Sequence, residues 1–171
     1  KEVARGTALA FLKGAKAAGQ RPRLLVRVNA LDTGLTDGDL DAVMQAAPDA
    51  IMLPKAEGGT SVIHLDAKLA VREAEIGLQD NATGIVAIAT ETAAAMFLAG
   101  TFRNSSKRLV GLTWGAEDLS ADLGAQANRD ADGRFLDPYR LARSLCLVGA
   151  ASAGAQPIDT VYVDFRNDTG L

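Results

Sequence analysis

Residues 108–124 read RLVGLTWGAEDLSADLG. The first seven, Arg108 to Trp114, are apolar enough for a strand covered on both faces, which is the habit of parallel sheets packed under helices. The run then passes through Gly115 and Ala116 into two adjacent acids, Glu117 and Asp118. A buried strand has no use for carboxylates in its core, so their place at its mouth calls for an explanation outside the core. Four other runs share the first half of this pattern: RLLVRVNA (23–30), DAIMLPKA (49–56), TGIVAIATE (83–91) and PIDTVYVDF (157–165). All are short and rich in Val, Ile and Leu, with little strict alternation.

Helical patterns fill the intervals. Residues 2–18 carry Val3, Leu9 and Leu12 on an Ala-rich background and stop at Gly19. DGDLDAVMQAA (37–47) opens with acids suited to a helix N-terminus and ends before Pro48. Residues 61–76 place Val62, Leu65, Leu69 and Ile76 at roughly helical spacing, and TAAAMFLAGTF follows the third strand. DPYRLARSLCLVGAASAG (137–154) is expected to start with Asp137 as N-cap and Pro138 at the first helical position, and to close at Gly154.

Strict alternation of helix and strand implies a parallel sheet with crossover helices. A doubly wound sheet with a phosphate turn would read GxGxxG or GxxxxGK, and neither is present. The other solution is a (β/α)8 TIM barrel, which takes about 250 residues. Five strands in 171 residues make an incomplete barrel, a single domain spanning 1–171 that is truncated or partly ordered at both ends. With 48% apolar residues the chain has material for a proper core. A net charge of −3 leaves no basic footprint for nucleic acid. A single cysteine, Cys146, excludes an internal disulfide and suits a reducing cytoplasm; its setting, ARSLCLVGAA, reads as a helix interior and a core thiol. No apolar run approaches the ~20 residues of a membrane span. Lys1 is no initiator, so the true N-terminus is expected to lie elsewhere.

Polar residues gather at the strand ends: Arg27 and Asn29, Lys55, Glu91, then Glu117 and Asp118, and Asp164 after the fifth. In a barrel those ends form one rim, where catalysis sits. Singly, each has a plain reading, with Arg27 in a rim ion pair, Glu91 as a helix N-terminal acid and Asp118 as a cap. Their joint placement favours a site. Lys55 serves either a substrate contact or an ion pair. Two carboxylates without a nearby histidine favour Mg2+, which takes one or two protein carboxylates plus waters and substrate oxygens. His64, the one histidine, lies inside a helical pattern and reads as structural, so zinc is disfavoured.

LLVRVNALDT, AIMLPKAEG, IATET, GLTWGAEDLSADLG and PIDTVYVDFRNDTGL, in that order, resemble the citrate lyase β-subunit/malyl-CoA lyase group of the HpcH/HpaI aldolase superfamily. The resemblance covers roughly residues 20 to 171. It implies a (β/α)8 barrel and a Mg2+-dependent lyase that makes or breaks a carbon–carbon bond between a 2-oxo acid and an acyl-CoA thioester. Position by position it implies Arg27 as the catalytic arginine that binds the substrate's carboxylate and carbonyl, and Glu91 and Asp118 as metal ligands. Glu117 becomes an outer acid, and the amides around Ala116 and Glu117 offer an alternative hold on the substrate carboxylate. The resemblance also implies homo-oligomers, often trimers or hexamers. The family's first strand, last two strands and C-terminal extension have no counterpart in this sequence. Malyl-CoA lyase-like members draw an acidic general base from that extension, often in a neighbouring subunit, and no residue here takes that part. Two rival functions remain: a class II 2-oxo-acid aldolase working without CoA, and a non-catalytic barrel-based binding protein.

Overall fold

The computed structural model describes residues 1–18, 21–167 and 169. Its helices are α1 (Glu2–Ala17), α2 (Thr36–Val43), α3 (Gly59–Glu75), α4 (Ala93–Leu98), α5 (Ala116–Asp122) and α6 (Asp137–Ala153). Its strands are β1 (Leu25–Arg27), β2 (Ala50–Leu53), β3 (Gly84–Ile88), β4 (Leu109–Thr113) and β5 (Gln156–Pro157). Every strand pairs in parallel with the next in the chain, in the order β1-β2-β3-β4-β5. A doubly wound sheet reverses its strand order partway across. Unbroken sequential order is that of a barrel, here left open between β1 and β5 among the described residues. The incomplete (β/α)8 barrel expected from the sequence is what the chain forms.

The two faces of the sheet differ. Ile51, Leu53, Ile85, Ala87 and Leu112 are fully buried against helix residues such as Leu40, Val62, Leu65, Leu69 and Leu119. Each fully buried leucine or isoleucine contributes about 1.5–3 kcal/mol. On the opposite face a Cβ at Gly84 would meet Val110 at 3.1 Å and Ala50 at 3.5 Å, and one at Gly111 would meet Ile158 at 2.9 Å. That inner face is small and apolar, and it leaves Leu25, Val110 and Ile158 partly exposed where a closed barrel would bury them.

A buried ion cluster sits at the N-terminal end of β4. The Arg108 side chain is fully buried and donates to Asp66 at 2.6 Å, Glu73 at 2.7 Å and Asp80 at 2.7 Å. Glu73, itself 1% exposed, also accepts the backbone N–H groups of Thr83 and Asn81. This is the face of a barrel where side chains serve stability rather than chemistry.

Several expected boundaries move. α2 gives way after Val43 to a 3₁₀ turn, Met44–Ala46, ahead of Pro48. Asp137 is the first residue of α6 rather than its cap, and Leu136 takes the cap position without a side-chain bond. Gly154 closes the helix in the left-handed region at φ 69°, as expected. A fifth strand over 157–165 shrinks to Gln156–Pro157, because β4 ends at Thr113 and turns into α5, leaving no ladder to extend. Val161, Val163 and Phe165 are therefore exposed. Gly19, expected to stop the first helix, and Asp168, Gly170 and Leu171 of the last motif lie outside the described residues. Cys146 is buried as expected, and burial pushes its thiol up to about 11. His64 is exposed on α3. Among the described residues no helix is long and apolar enough to cross a membrane.

Candidate functional site

The rim at the strand C-termini brings together Lys55, Glu91 and Asp118 near Arg27, and leaves out Asn29 and Asp164 of the residues expected there. β1 ends on Arg27, which is exposed and whose side chain has no hydrogen-bond or ion-pair partner among the described residues. After β2 the chain turns at Lys55, held in the left-handed region at φ 51°. For a lysine that conformation is strained. The result is that its backbone N–H points at Glu91 and donates to Oε2 at 2.6 Å. The Lys55 ammonium stands 3.4 Å from Asp118 Oδ1, so this one residue touches both carboxylates. Of its two readings, the ion pair is the one formed.

Glu91 follows β3 and is 4% exposed. It packs on Gly115, where an added Cβ would lie 3.0 Å from both its Cγ and its Oε1. Gly115 has ordinary extended dihedrals, so this close approach and not conformational freedom is what calls for glycine. Burial raises the pKa of the Glu91 carboxyl above its usual value. The Lys55 N–H opposes that rise, the neighbouring Asp118 carboxylate adds to it, and Arg27 opposes it. Glu91 and Asp118 are therefore direct neighbours within one electrostatic unit that Arg27 and Lys55 complete.

Asp118 lies half-exposed in the first turn of α5, a helix that the sequence patterns do not show. Ala116 opens α5 and is buried, while Glu117 is exposed and accepts from Asn128 Nδ2 at 3.0 Å, in the loop after α5. Asn29 is bound away from the group: its N–H and Nδ2 both donate to Asp39, which Arg5 also holds. Asp164 lies beyond the short β5 and is not at a strand mouth. That place belongs to Asp159, which the apolar run puts inside a strand. Its carboxylate accepts the indole N–H of Trp114 at 2.7 Å and pairs with Arg143. Asp159 is the first of two acids in the run PIDTVYVDF, and its place near the start of the run is the signal the sequence offers for it.

Among the described residues no group of three or more His, Cys, Asp or Glu is placed to hold a metal ion. The donors on the rim are two carboxylates, all oxygen, next to an open approach. That set suits a hard cation that keeps water or substrate oxygens in its remaining positions, and does not suit zinc.

The chain matches the HpcH/HpaI aldolase/citrate lyase family model over residues 1–171. It is 39% identical over 149 residues to the citrate lyase subunit beta-like protein of Mycobacterium tuberculosis (strain CDC 1551 / Oshkosh), covering 87% of this chain and 48% of that protein. It is 32% identical over 160 residues to the mitochondrial citramalyl-CoA lyase of Rattus norvegicus, covering 85% and 44%. Among solved structures it resembles the citrate lyase beta subunit from M. tuberculosis complexed with oxaloacetate and magnesium, at 34% identity and a TM-score of 0.67, over 85% of this chain and 58% of that one. The chain spans about half the length of the curated relatives it matches. By its sequential parallel barrel, its rim of Arg27, Glu91 and Asp118 and these matches, the chain belongs to the HpcH/HpaI aldolase/citrate lyase family.

Proposed function

We propose that this chain carries the metal- and substrate-binding rim of a Mg2+-dependent carbon–carbon lyase acting between a 3-hydroxyacyl-CoA thioester and its two parts, a 2-oxo acid and an acyl-CoA. The observation that carries this reading is the convergence of Glu91 and Asp118, from consecutive strand ends, beside Arg27. The magnesium in one related structure and the citramalyl-CoA lyase among the relatives support it. Glu91 and Asp118 would hold the ion, which supplies a Lewis acid for the carbonyl and carboxylate oxygens of a 2-oxo acid.

The chain's own residues do the rest. Burial and the Lys55 N–H orient Glu91, so one of its oxygens is fixed before anything binds. The Lys55 ammonium offsets the charge of Asp118 across 3.4 Å. Arg27 presents a planar fork of N–H donors that fits a carboxylate. The same fork steadies charge developing on the carbonyl oxygen as the carbon–carbon bond forms or breaks.

Arg27→Lys tests the assignment. Lysine keeps the charge and loses the two-pronged geometry. The variant is expected to lose at least ~10-fold in kcat/KM for malyl-CoA-type cleavage, the scale of one lost charged hydrogen bond, with Mg2+ affinity and melting temperature near those of the parent. A variant that melts early but cleaves normally would remove Arg27 from the site.

A further inference from the structure

Trp114 is the last residue before the turn that carries Asp118, and it is tied from two directions. Its Nε1–H donates to Asp159 Oδ1 at 2.7 Å. Asp159, whose side chain is 54% exposed, is held in turn: Arg143 pairs with Oδ2, the Thr160 N–H donates to Oδ1 at 2.9 Å, and Thr113 Oγ1 donates to its backbone carbonyl at 3.2 Å. From the other side Phe135 meets the indole edge-on, with centroids 5.0 Å apart, and the Arg129 guanidinium covers Phe135 at 3.6 Å. The indole is 3% exposed.

The segment after Trp114 has little stability of its own. α5 has only seven residues, far short of the ~12–15 a helix needs to hold itself together in water. Its placement must come from anchors at its ends. The tolerance is also small: a Cβ added at Gly115 would lie 3.0 Å from Glu91 Cγ and Oε1, so a backbone shift toward Glu91 soon meets its side chain and a shift away separates the Glu91–Asp118 pair.

We propose that Asp159, braced by Arg143, is a positioning residue that acts through the Trp114 indole to hold the Gly115–Asp118 turn at the distance from Glu91 that cation binding requires. The proposal rests on the metal reading above. It gives the β5 mouth a part in the site although no side chain of that segment reaches the carboxylates. It also makes Trp114, the chain's single tryptophan, a reporter of the site.

The test uses the full chain and three variants, Asp159→Ala, Asp159→Asn and Trp114→Phe. Two readouts are taken: Mg2+ affinity by calorimetry, and hydrogen exchange of the Leu123, Gly124 and Ala125 amides, whose bonds to Leu119, Ala121 and Ser120 close α5, in metal-free protein. Asp159→Ala and Trp114→Phe are expected to weaken Mg2+ binding about 10–100-fold, the usual cost of losing an outer partner of a metal site. Asp159→Asn keeps an acceptor for the indole and loses the charge, so it should fall between Asp159→Ala and the parent. In Asp159→Ala the Leu123, Gly124 and Ala125 amides should exchange faster while those of β2 and β3 do not change, and a Mg2+-induced change in tryptophan emission should disappear. An Asp159→Ala protein with a lower melting temperature but parental Mg2+ affinity would overturn the positioning role. Unchanged exchange at Leu123, Gly124 and Ala125 would overturn the anchoring of α5 through Trp114 whatever the metal result. A parent that binds no Mg2+ would overturn the metal reading instead, and the exchange data would still judge that anchoring.

Discussion

Arg108→Met is the sharpest perturbation of the fold. It removes the cation that pairs with Glu73 and replaces it with a shorter, unbranched apolar side chain. Three carboxylates lose a partner, and they do not count equally. Asp80 is 75% exposed and returns to water at almost no cost. Asp66 is 30% exposed and keeps the Ser106 hydroxyl. Glu73, at 1%, is left charged and buried with two backbone N–H groups as its remaining partners among the described residues. Removing one side of a buried pair costs about 3–5 kcal/mol, and the two N–H bonds place Glu73 toward the lower end, about 3–4 kcal/mol. At ~2–4 °C per kcal/mol for a chain of this size, the melting temperature should fall by about 6–16 °C. Urea unfolding followed by Trp114 emission measures the loss directly. Arg108→Met/Glu73→Gln is the control, because glutamine keeps an acceptor for the Thr83 N–H and carries no charge. The double variant should recover a large part of the deficit. A single-variant loss below about 1 kcal/mol, or a double variant no better than the single, would refute the claim that an uncompensated Glu73 dominates.

Gly115→Ala puts a methyl where Glu91 stands at 3.0 Å. Its backbone dihedrals suit alanine, so calorimetry should show Mg2+ affinity down about 10-fold with a melting temperature little changed; an unaltered affinity would mean that Glu91 gives way freely. Asp49 is held down to about 2 by Arg21 and the Leu24 N–H, below its ordinary 3.8. Its contribution is therefore whole above about 3.8 and fades as pH falls toward 2, so Asp49→Asn should flatten the acid limb of the melting-temperature profile between those values. Cys146, buried with its thiol near 11, should resist a maleimide at pH 8 in the native protein and react once unfolded.

The barrel and its rim are legible in the sequence because both are one-dimensional patterns. Apolar runs covered on both faces mark parallel strands, and a polar residue after each run marks the rim. Arg27, Glu91 and Asp118 stand out that way. The features that escape such a reading depend on contacts across the sheet. Nothing local tells that Arg108, at the head of an apolar run, is buried among Asp66, Glu73 and Asp80, which come from 28 to 42 residues earlier. Apolar content suggests a strand to 165, but a strand needs a neighbour, and β4 stops at Thr113. That shortening moves the fifth strand mouth from Asp164 to Asp159. α5 is invisible because two turns leave too little periodicity to read, and Lys55 hides its role because its backbone, not its side chain, holds Glu91.

In the proposed site Glu91 and Asp118 share a magnesium ion that a 2-oxo acid completes. A crystal of this chain grown with Mg2+ and oxaloacetate or pyruvate tests it most directly. The account predicts an ion about 2.0–2.1 Å from a carboxylate oxygen of each residue, with the acid's carboxylate against Arg27. Magnesium bound elsewhere, or a 2-oxo acid seated away from Arg27 with no ion between Glu91 and Asp118, would contradict it.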